Sequence, residues 1–172
     1  MVEQYRWIAS EFTIDYNYIK GERSCENYVE YSDDEEDHFL KNKHILICED
    51  NQINQEVISS ILELKGAVTE IAENGEIGLR KFSQSSLNFW DMIFMDIHMP
   101  IMDGYTATRA IRNLDRDDAK TVLIIAMTAD AFSDDIQKCL DAGMDGHLTK
   151  PVDPKQLFMM LKEQLRKKSD RE

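Results

Sequence analysis

The sequence predicts an α/β fold, a three-layer α/β/α sandwich built on a five-stranded parallel sheet. From Lys43 onwards, short apolar runs alternate with stretches of helical periodicity, which is typical of repeated strand-helix-strand units. Some runs are apolar throughout, such as TVLIIAM at 121–127, and this indicates strands covered by helices on both faces of the sheet. With 172 residues and 42% apolar composition, the chain can form one well-packed domain and an additional segment.

The predicted elements follow one another along the chain. HILIC at 44–48 predicts the first strand, and NQEVISSILEL at 54–64 predicts the helix after it, which ends before Gly66. The apolar positions that predict the buried face of this helix are Val57, Ile58, Ile61 and Leu62. The later strands are predicted at 67–72, 91–95, 121–127 and 146–148. The later helices are predicted around Ile77 and Phe82, over 106–112, around Ile136 to Leu140, and from Asp153-Pro154 through Leu165.

Residues 1–42 do not share this alternation. They contain 11 acidic and 4 basic residues, and the run SDDEED at 32–37 is typical of a solvated linker. The stretches 12–18 and 25–31 alternate apolar and polar residues, which favours a β-hairpin, while a disordered leader is the alternative. We therefore expect an acidic extension or linker at 1–42, the folded domain at 43–168 and a short tail at 169–172.

Composition excludes several classes of protein. The net charge of −13 argues against a nucleic-acid partner. No apolar run reaches the ~20 residues of a membrane span, and no signal peptide is present, so we expect a cytoplasmic protein. The widely spaced Cys25, Cys48 and Cys139 favour reduced thiols over a disulfide framework. The acidic stretch DRDD at 115–118 predicts a solvated loop.

Polar residues follow the predicted strands at the points where they end: Glu49, Asp50, Asp96, Thr128 and Lys150. Because the carboxyl ends of parallel strands meet at one edge of the sheet, we expect these side chains to form one site. Three neighbouring carboxylates repel one another unless a cation lies between them, and oxygen ligands without cysteine or histidine favour Mg²⁺. An ammonium and a hydroxyl beside them suit an anion. The set therefore predicts phosphoryl transfer to a protein carboxylate.

Four motifs resemble the receiver domain of two-component signalling, in the subtype found in hybrid sensor histidine kinases. They are ICEDNQINQ at 47–55, MDIHMPIMDG at 95–104, IIAMTADAF at 124–132 and GHLTKPVD at 146–153. The resemblance covers roughly residues 43–167 and implies a flavodoxin-like sheet with strand order 2-1-3-4-5. It also implies signalling partners, namely a histidine kinase or a histidine phosphotransfer domain.

The resemblance implies a role for each residue of the site. Asp96 would accept a phosphoryl group from a phosphohistidine, and Glu49, Asp50 and Asp96 would hold Mg²⁺ together with the backbone carbonyl of His98. The first acid is Glu49 where many members have aspartate, a variation common in the hybrid-kinase subtype.

The resemblance also implies a switch. Thr128 and Lys150 would bind the phosphoryl oxygens, and the Lys150-Pro151 peptide bond would be cis. Thr128 would then move together with the ring at position 147, changing the face formed by helix 4, strand 5 and helix 5. That ring is His147 here, and since histidine titrates near neutral pH, its protonation could bias the switch.

Three alternatives accompany this interpretation. The chain is expected to be the C-terminal part of a hybrid sensor histidine kinase, tethered through it to a membrane sensor, or else a free-standing single-domain response regulator. A Mg²⁺-dependent hydrolase with an aspartyl-phosphate intermediate would want a second acid where this chain has His98. A degenerate receiver that acts only as a scaffold would lack part of the five-residue set. As a receiver, the chain is expected to be a monomer or a weak homodimer.

Overall fold

The computed structural model describes residues 38–129 and 133–169, except the side chains of 133–135 and 165–169. The predicted hairpin or leader within 1–37 lies outside the described residues, as do residues 170–172 of the predicted tail. None of the described helices is both long enough and apolar enough to span a membrane.

Strands and helices alternate through the described residues, as predicted. The strands are β1 (His44–Cys48), β2 (Val68–Ala72), β3 (Met92–Asp96), β4 (Leu123–Thr128) and β5 (Gly146–Thr149). The helices are α1 (Gln52–Glu63), α2 (Gly75–Gln84), α3 (Gly104–Arg112), α4 (Ser133–Ala142) and α5 (Pro154–Ser169). The strands form one five-stranded sheet in the order β2-β1-β3-β4-β5, with every neighbouring pair parallel. The predicted fold class and strand order are confirmed.

The core has two halves, one on each face of the sheet. Alternate residues of a strand point to opposite faces, so Ile45 and Ile47 pack with residues of α1 and α5, while Leu46 and Cys48 pack with residues of α2 and α3. Every residue of β3 and β4 is buried. Helices therefore cover both faces of the central strands, which is why these strands are apolar throughout.

The predicted buried face of α1 is partly wrong. Ile58 and Leu62 are buried, but Val57 is 46% exposed and lies one turn from Ile53, which is 71% exposed. The helix places the i and i+4 pair Ile58 and Leu62 against the sheet, and this turns Val57 towards the solvent. The helix also begins two residues earlier than predicted, because the Asn51 side chain caps it by accepting from the N–H groups of Ile53 and Asn54.

The packed domain includes residues before the predicted boundary at Lys43. Leu40 is 1% exposed, and its N–H donates to the carbonyl of Lys65 at 3.1 Å. The Phe39 ring lies edge-on to Phe158 of α5, with centroids 6.0 Å apart. The segment from His38 thus contacts both the end of α1 and α5 and packs with the folded domain, whereas the sequence predicts that it belongs to the extension. The rest of the predicted division of the chain stays a prediction.

The prediction that the acidic stretch 115–118 is a solvated loop is wrong for Asp118. Asp118 is buried in a 3-10 turn, Asp117–Lys120, and its carboxylate binds the Arg116 guanidinium at 2.7 and 2.8 Å. It also accepts from the N–H of Asn88 at 2.7 Å. The correction has a physical cause: a carboxylate can be buried when it is fully hydrogen-bonded to a cation, and sequence alone did not reveal that partner.

Candidate functional site

The acidic pair stands immediately after β1. The chain continues along β2 for one residue, with the N–H of Glu49 donating to the carbonyl of Ala72 at 3.0 Å. Glu49 is fully buried, whereas Asp50 is exposed, because successive residues of an extended chain point to opposite sides. One carboxylate therefore belongs to the interior of the site and the other to its rim.

Asp96 is the last residue of β3 and is only 5% exposed. Beyond it, the N–H of Ile97 donates to the carbonyl of Met127, and the N–H of Gly104 donates to the carbonyl of Ile97. The start of α3 thereby returns against the strand end, so closely that a Cβ on Gly104 would lie 2.2 Å from the Asp96 carbonyl oxygen. These contacts hold the Asp96 backbone in place from two directions.

Thr128 and Lys150 come together through the pairing of β4 with β5. Thr128 is the buried last residue of β4 and lies opposite Thr149. The N–H of Lys150 then donates to the carbonyl of Thr128 at 2.8 Å. The Lys150-Pro151 peptide bond is cis, as the resemblance implied.

The Lys150 ammonium joins the ends of β1 and β3. Its Nζ lies 2.6 Å from Glu49 Oε2 and 2.8 Å from Asp96 Oδ2. Carboxylate oxygens of Glu49, Asp50 and Asp96 lie within 4.8 Å of one another. Three carboxylates around one ammonium leave an excess of negative charge, and hard oxygen ligands in this number fit Mg²⁺.

The electrostatics of the site oppose the ionisation of Asp96. Burial raises the pKa of the Asp96 carboxyl above its ordinary value, the nearby Glu49 carboxylate adds to the rise, and the hydrogen bond from Lys150 opposes it. Burial alone would lower the pKa of the Lys150 ammonium, but its hydrogen bonds with Asp96 and Glu49 outweigh this and raise that pKa. The ammonium thus stays charged while the Asp96 carboxylate remains incompletely compensated.

The structure brings the five predicted site residues to one edge of the sheet. His98 lies at the same edge with an exposed side chain, and its backbone N–H donates to Asp96 Oδ1 at 3.3 Å. His147 is half-buried on β5 opposite Ala126. The metal role of the His98 carbonyl and the switch roles of Thr128 and His147 stay predictions.

Sequence reasoning missed two residues that shape the site. Asn54 on the first turn of α1 donates its side-chain amide to Glu49 Oε1 at 2.9 Å, and Gly104 allows α3 to approach Asp96. The amide following an acidic pair by one helical turn was a usable signal for the first. Gly104 offered no comparable signal, because sequence does not show which backbone lies opposite it.

Comparison with known proteins places this geometry in a family. The sequence profile of the response regulator receiver domain matches residues 45–162. The chain is 38% identical over 123 residues to hybrid signal transduction histidine kinase I of Dictyostelium discoideum, covering 70% of this chain and 7% of that protein. It is 41% identical over 122 residues to the osmosensing histidine protein kinase SLN1 of Saccharomyces cerevisiae, covering 69% of this chain and 10% of that protein. The chain thus spans only a small part of the length of these relatives.

A solved structure shows the same fold. The receiver domain of a sensor histidine kinase from Pseudomonas aeruginosa is similar to this chain with a TM-score of 0.64 and 36% sequence identity, covering 71% of this chain and 96% of that one. That structure carries a magnesium ion coordinated in its active site cleft.

Proposed function

The chain belongs to the response regulator receiver domain family, and we propose that it takes up a phosphoryl group on Asp96 from a phosphohistidine. It is homologous to the receivers of hybrid histidine kinases. The observation that carries the proposal is the position of Asp96, buried at the end of a central strand and bridged by Lys150 to a second buried acid. A carboxylate in this position is available as a nucleophile, and the Lys150 ammonium beside it can interact with the oxygens of an incoming phosphoryl group.

The transfer balances without a further reactant. An oxygen of the Asp96 carboxylate forms a bond to phosphorus while the bond from phosphorus to the imidazole nitrogen breaks, and that nitrogen keeps the electron pair. Because the transferred group carries its negative charge on its three outer oxygens throughout this exchange, the Lys150 ammonium at 2.8 Å from Asp96 is placed to neutralise part of it. The Thr128 hydroxyl is proposed as a second donor to these oxygens.

We assign the metal role to Glu49, Asp50 and Asp96, completed by the backbone carbonyl of His98. Bound Mg²⁺ would orient the phosphoryl group and neutralise its oxygens. The cluster of three carboxylates is suited to hold it, because one ammonium leaves the group with net negative charge.

The output of the phosphorylated state is proposed to follow from the same contacts. A phosphoryl group adds charge and acceptor oxygens beside Thr128 and Lys150. Thr128 ends β4, and Lys150 follows β5 and precedes α5, so a shift of either residue reaches the face formed by α4, β5 and α5. His147 on β5 is the proposed ring of this switch.

The wider context is also a proposal. A histidine kinase or histidine phosphotransfer domain would donate the phosphoryl group, and the chain would be part of a hybrid sensor histidine kinase. The hybrid kinases among its relatives support this. A histidine kinase catalytic domain encoded in the same reading frame upstream of Met1 would distinguish it from a free-standing regulator.

Intact-mass measurement after incubation with acetyl phosphate and Mg²⁺ tests the phosphoacceptor. We expect the mass of one phosphoryl group to be added to the natural chain, none to be added to Asp96→Asn, and little to be added when EDTA removes the metal. Asp103→Asn is the matched control, since Asp103 is an exposed helix cap in the same loop and asparagine caps as well. No addition to the natural chain, or an equal addition to Asp96→Asn, would refute the proposal.

A further inference from the structure

We propose that Asn54 is a positioning residue for the metal site, one that holds the Glu49 carboxylate in the orientation that a divalent cation requires. This inference rests on the proposed function, because it concerns the same cluster. It adds a residue that does not touch the reacting atoms and acts through Glu49.

The contacts of Glu49 are divided between its two carboxylate oxygens. Oε1 accepts from the Asn54 amide at 2.9 Å and from the backbone N–H of Asn51 at 3.3 Å. Oε2 lies 2.6 Å from the Lys150 ammonium. Because both oxygens have partners, the carboxylate group cannot rotate without losing one of these contacts.

The amide compensates for burial that Lys150 alone cannot offset. Glu49 is fully buried, and Lys150 is shared with Asp96. A buried charged group is costly unless its oxygens are hydrogen-bonded, and an ionised carboxylate only accepts, so the Asn54 amide presents its NH₂ group. A neutral donor stabilises the carboxylate without adding a positive charge that would compete with a metal ion.

The start of α1 places Asn54 for this task. The Asn51 side chain caps the helix by accepting from the Asn54 N–H at 3.2 Å, which sets the direction of the first turn. The next residue, Gln55, donates its side-chain amide to the backbone carbonyl of Glu49 at 2.7 Å. Asn54 thus contacts the carboxylate and Gln55 the main chain of the same residue, which makes Gln55 a matched control.

Outer partners that orient metal ligands typically change metal affinity by roughly 10- to 100-fold when removed. For Asn54→Leu, which loses the donor at similar volume, we therefore expect the Kd for Mg²⁺ to rise about tenfold or more. The Mg²⁺ concentration that half-saturates phosphorylation by acetyl phosphate should rise in parallel. The rate at saturating Mg²⁺ should stay within about twofold, because Asn54 does not touch the phosphoryl group.

Isothermal titration of Mg²⁺ into the full chain tests the inference, with Asn54→Ala as a second variant and thermal unfolding as a check of folding. Gln55→Leu should leave the Kd within about twofold, since it leaves the carboxylate contacts intact. In a Glu49→Gln background, Asn54→Leu should cause no further loss, because its effect passes through the carboxylate. An unchanged Kd in Asn54→Leu, or an equal loss in the Glu49→Gln background, would overturn the inference.

The two proposals fail in different ways. A natural chain that binds Mg²⁺ but is not phosphorylated on Asp96 would refute the phosphoacceptor and leave the Asn54 inference standing if the affinities differ as expected. If the natural chain is phosphorylated on Asp96 but its Kd for Mg²⁺ is the same in Asn54→Leu, only the Asn54 inference is refuted. A natural chain that does not bind Mg²⁺ would overturn it as well.

Discussion

The sheet has an amino edge, where its strands begin, and a carboxyl edge, where they end. At the amino edge, the Arg116 guanidinium donates to the Asp118 carboxylate and to four backbone carbonyls. At the carboxyl edge, Lys150 is shared between Glu49 and Asp96. Arg112 at the amino edge is held in the same manner, by the carbonyls of Gly143, Ala119 and Val122 and by Asp145. Arg116 and Asp118 thus compensate each other within the chain, although burial still lowers the pKa of the Arg112 guanidinium. The carboxyl edge leaves an excess of carboxylates.

The pKa values of one buried acid at each edge, Asp118 and Asp96, differ in the same way. The Arg116 guanidinium lowers the pKa of the Asp118 carboxyl, so the folded chain favours the charge. Burial raises the pKa of Asp96, so the folded chain opposes the charge. A satisfied ion pair that fastens a loop is structural, while an incompletely compensated acid in a cluster is typical of a binding site. Four predictions test or sharpen this contrast.

The largest effect is expected from breaking the amino edge. Asp118→Ala leaves the partly buried Arg116 without its anion and the Asn88 N–H without its acceptor, and we expect this to cost about 3 kcal/mol in the free energy of unfolding. Urea unfolding measures it. Lys81→Ala, which breaks the exposed pair with Glu70, is the control and should cost under about 1 kcal/mol. A similar small loss in both variants would contradict a structural role for Asp118.

A smaller effect is expected at Gly104. A Cβ there would overlap the Asp96 carbonyl oxygen, a backbone atom at 2.2 Å, so Gly104→Ala should cost about 1 to 3 kcal/mol and slow phosphorylation of Asp96. Urea unfolding and the rate of mass gain with acetyl phosphate measure the two effects. Gly146→Ala is the control, since its Cβ would contact only the ends of side chains, the nearest being Ile125 at 3.3 Å. Stability and rate equal to those of the natural chain would show that α3 does not constrain Asp96.

The two buried acids should show opposite effects of neutralisation at pH 7. Asp118→Asn should lower the free energy of unfolding, and Asp96→Asn without Mg²⁺ should raise it, by roughly 1 kcal/mol or a few degrees in Tm. The sign follows from the shifts. The Asp118 contribution is complete above the ordinary carboxyl pKa near 4 and is lost as the pH falls towards its lowered folded-state value.

The Asp96 penalty runs the other way with pH. It is absent below the ordinary carboxyl pKa, grows as the pH rises from there towards the raised folded-state value, and is complete above that value. Both differences from the natural chain should therefore shrink as unfolding is repeated from pH 7 down to pH 3. A loss of stability in Asp96→Asn at neutral pH would mean that Lys150 fully compensates the acid.

The smallest effect concerns Cys48, which precedes Glu49 at the carboxyl edge of the sheet. Burial raises the pKa of the Cys48 thiol to about 12, so its thiolate is scarce and the sulfur is inaccessible. In a Cys25→Ser background, we expect no reaction with a thiol reagent until the chain is unfolded. Rapid labelling of the folded chain at Cys48 would show that the carboxyl edge opens to the solvent beyond its charged rim.

The order of elements could be predicted from the sequence because its signals are local. Apolar runs and helical periodicity mark strands and helices within a few residues of one another, and β1, β3, β4 and β5 lie within two residues of their predicted bounds. Asp50 and Asp96 could be assigned to one edge of the sheet because parallel strands end together. The face of α1 was less predictable, since Val57 and Ile58 are both apolar and only the sheet selects between them.

Particular charges could not be interpreted from the sequence. Asp118 and Asp50 both stand in acidic surroundings, yet Asp118 is buried against Arg116 and Asp50 is exposed at the site. Their difference depends on which chain segment packs beside them. The same holds for Leu40, which is buried in the half of the core that includes residues of α1 and α5.

The parallel α/β arrangement and the carboxylates at the strand ends can be predicted from the sequence alone, because residue spacing and hydrophobicity act over a few neighbouring positions. Three further contacts are visible only in the folded domain: Lys150 bridges Glu49 and Asp96, the Asn54 amide donates to Glu49, and Gly104 lies against the Asp96 backbone. These contacts are set to tenths of an ångström by how loops and helices pack on the sheet. Such packing is a property of the whole domain, and no local pattern specifies it.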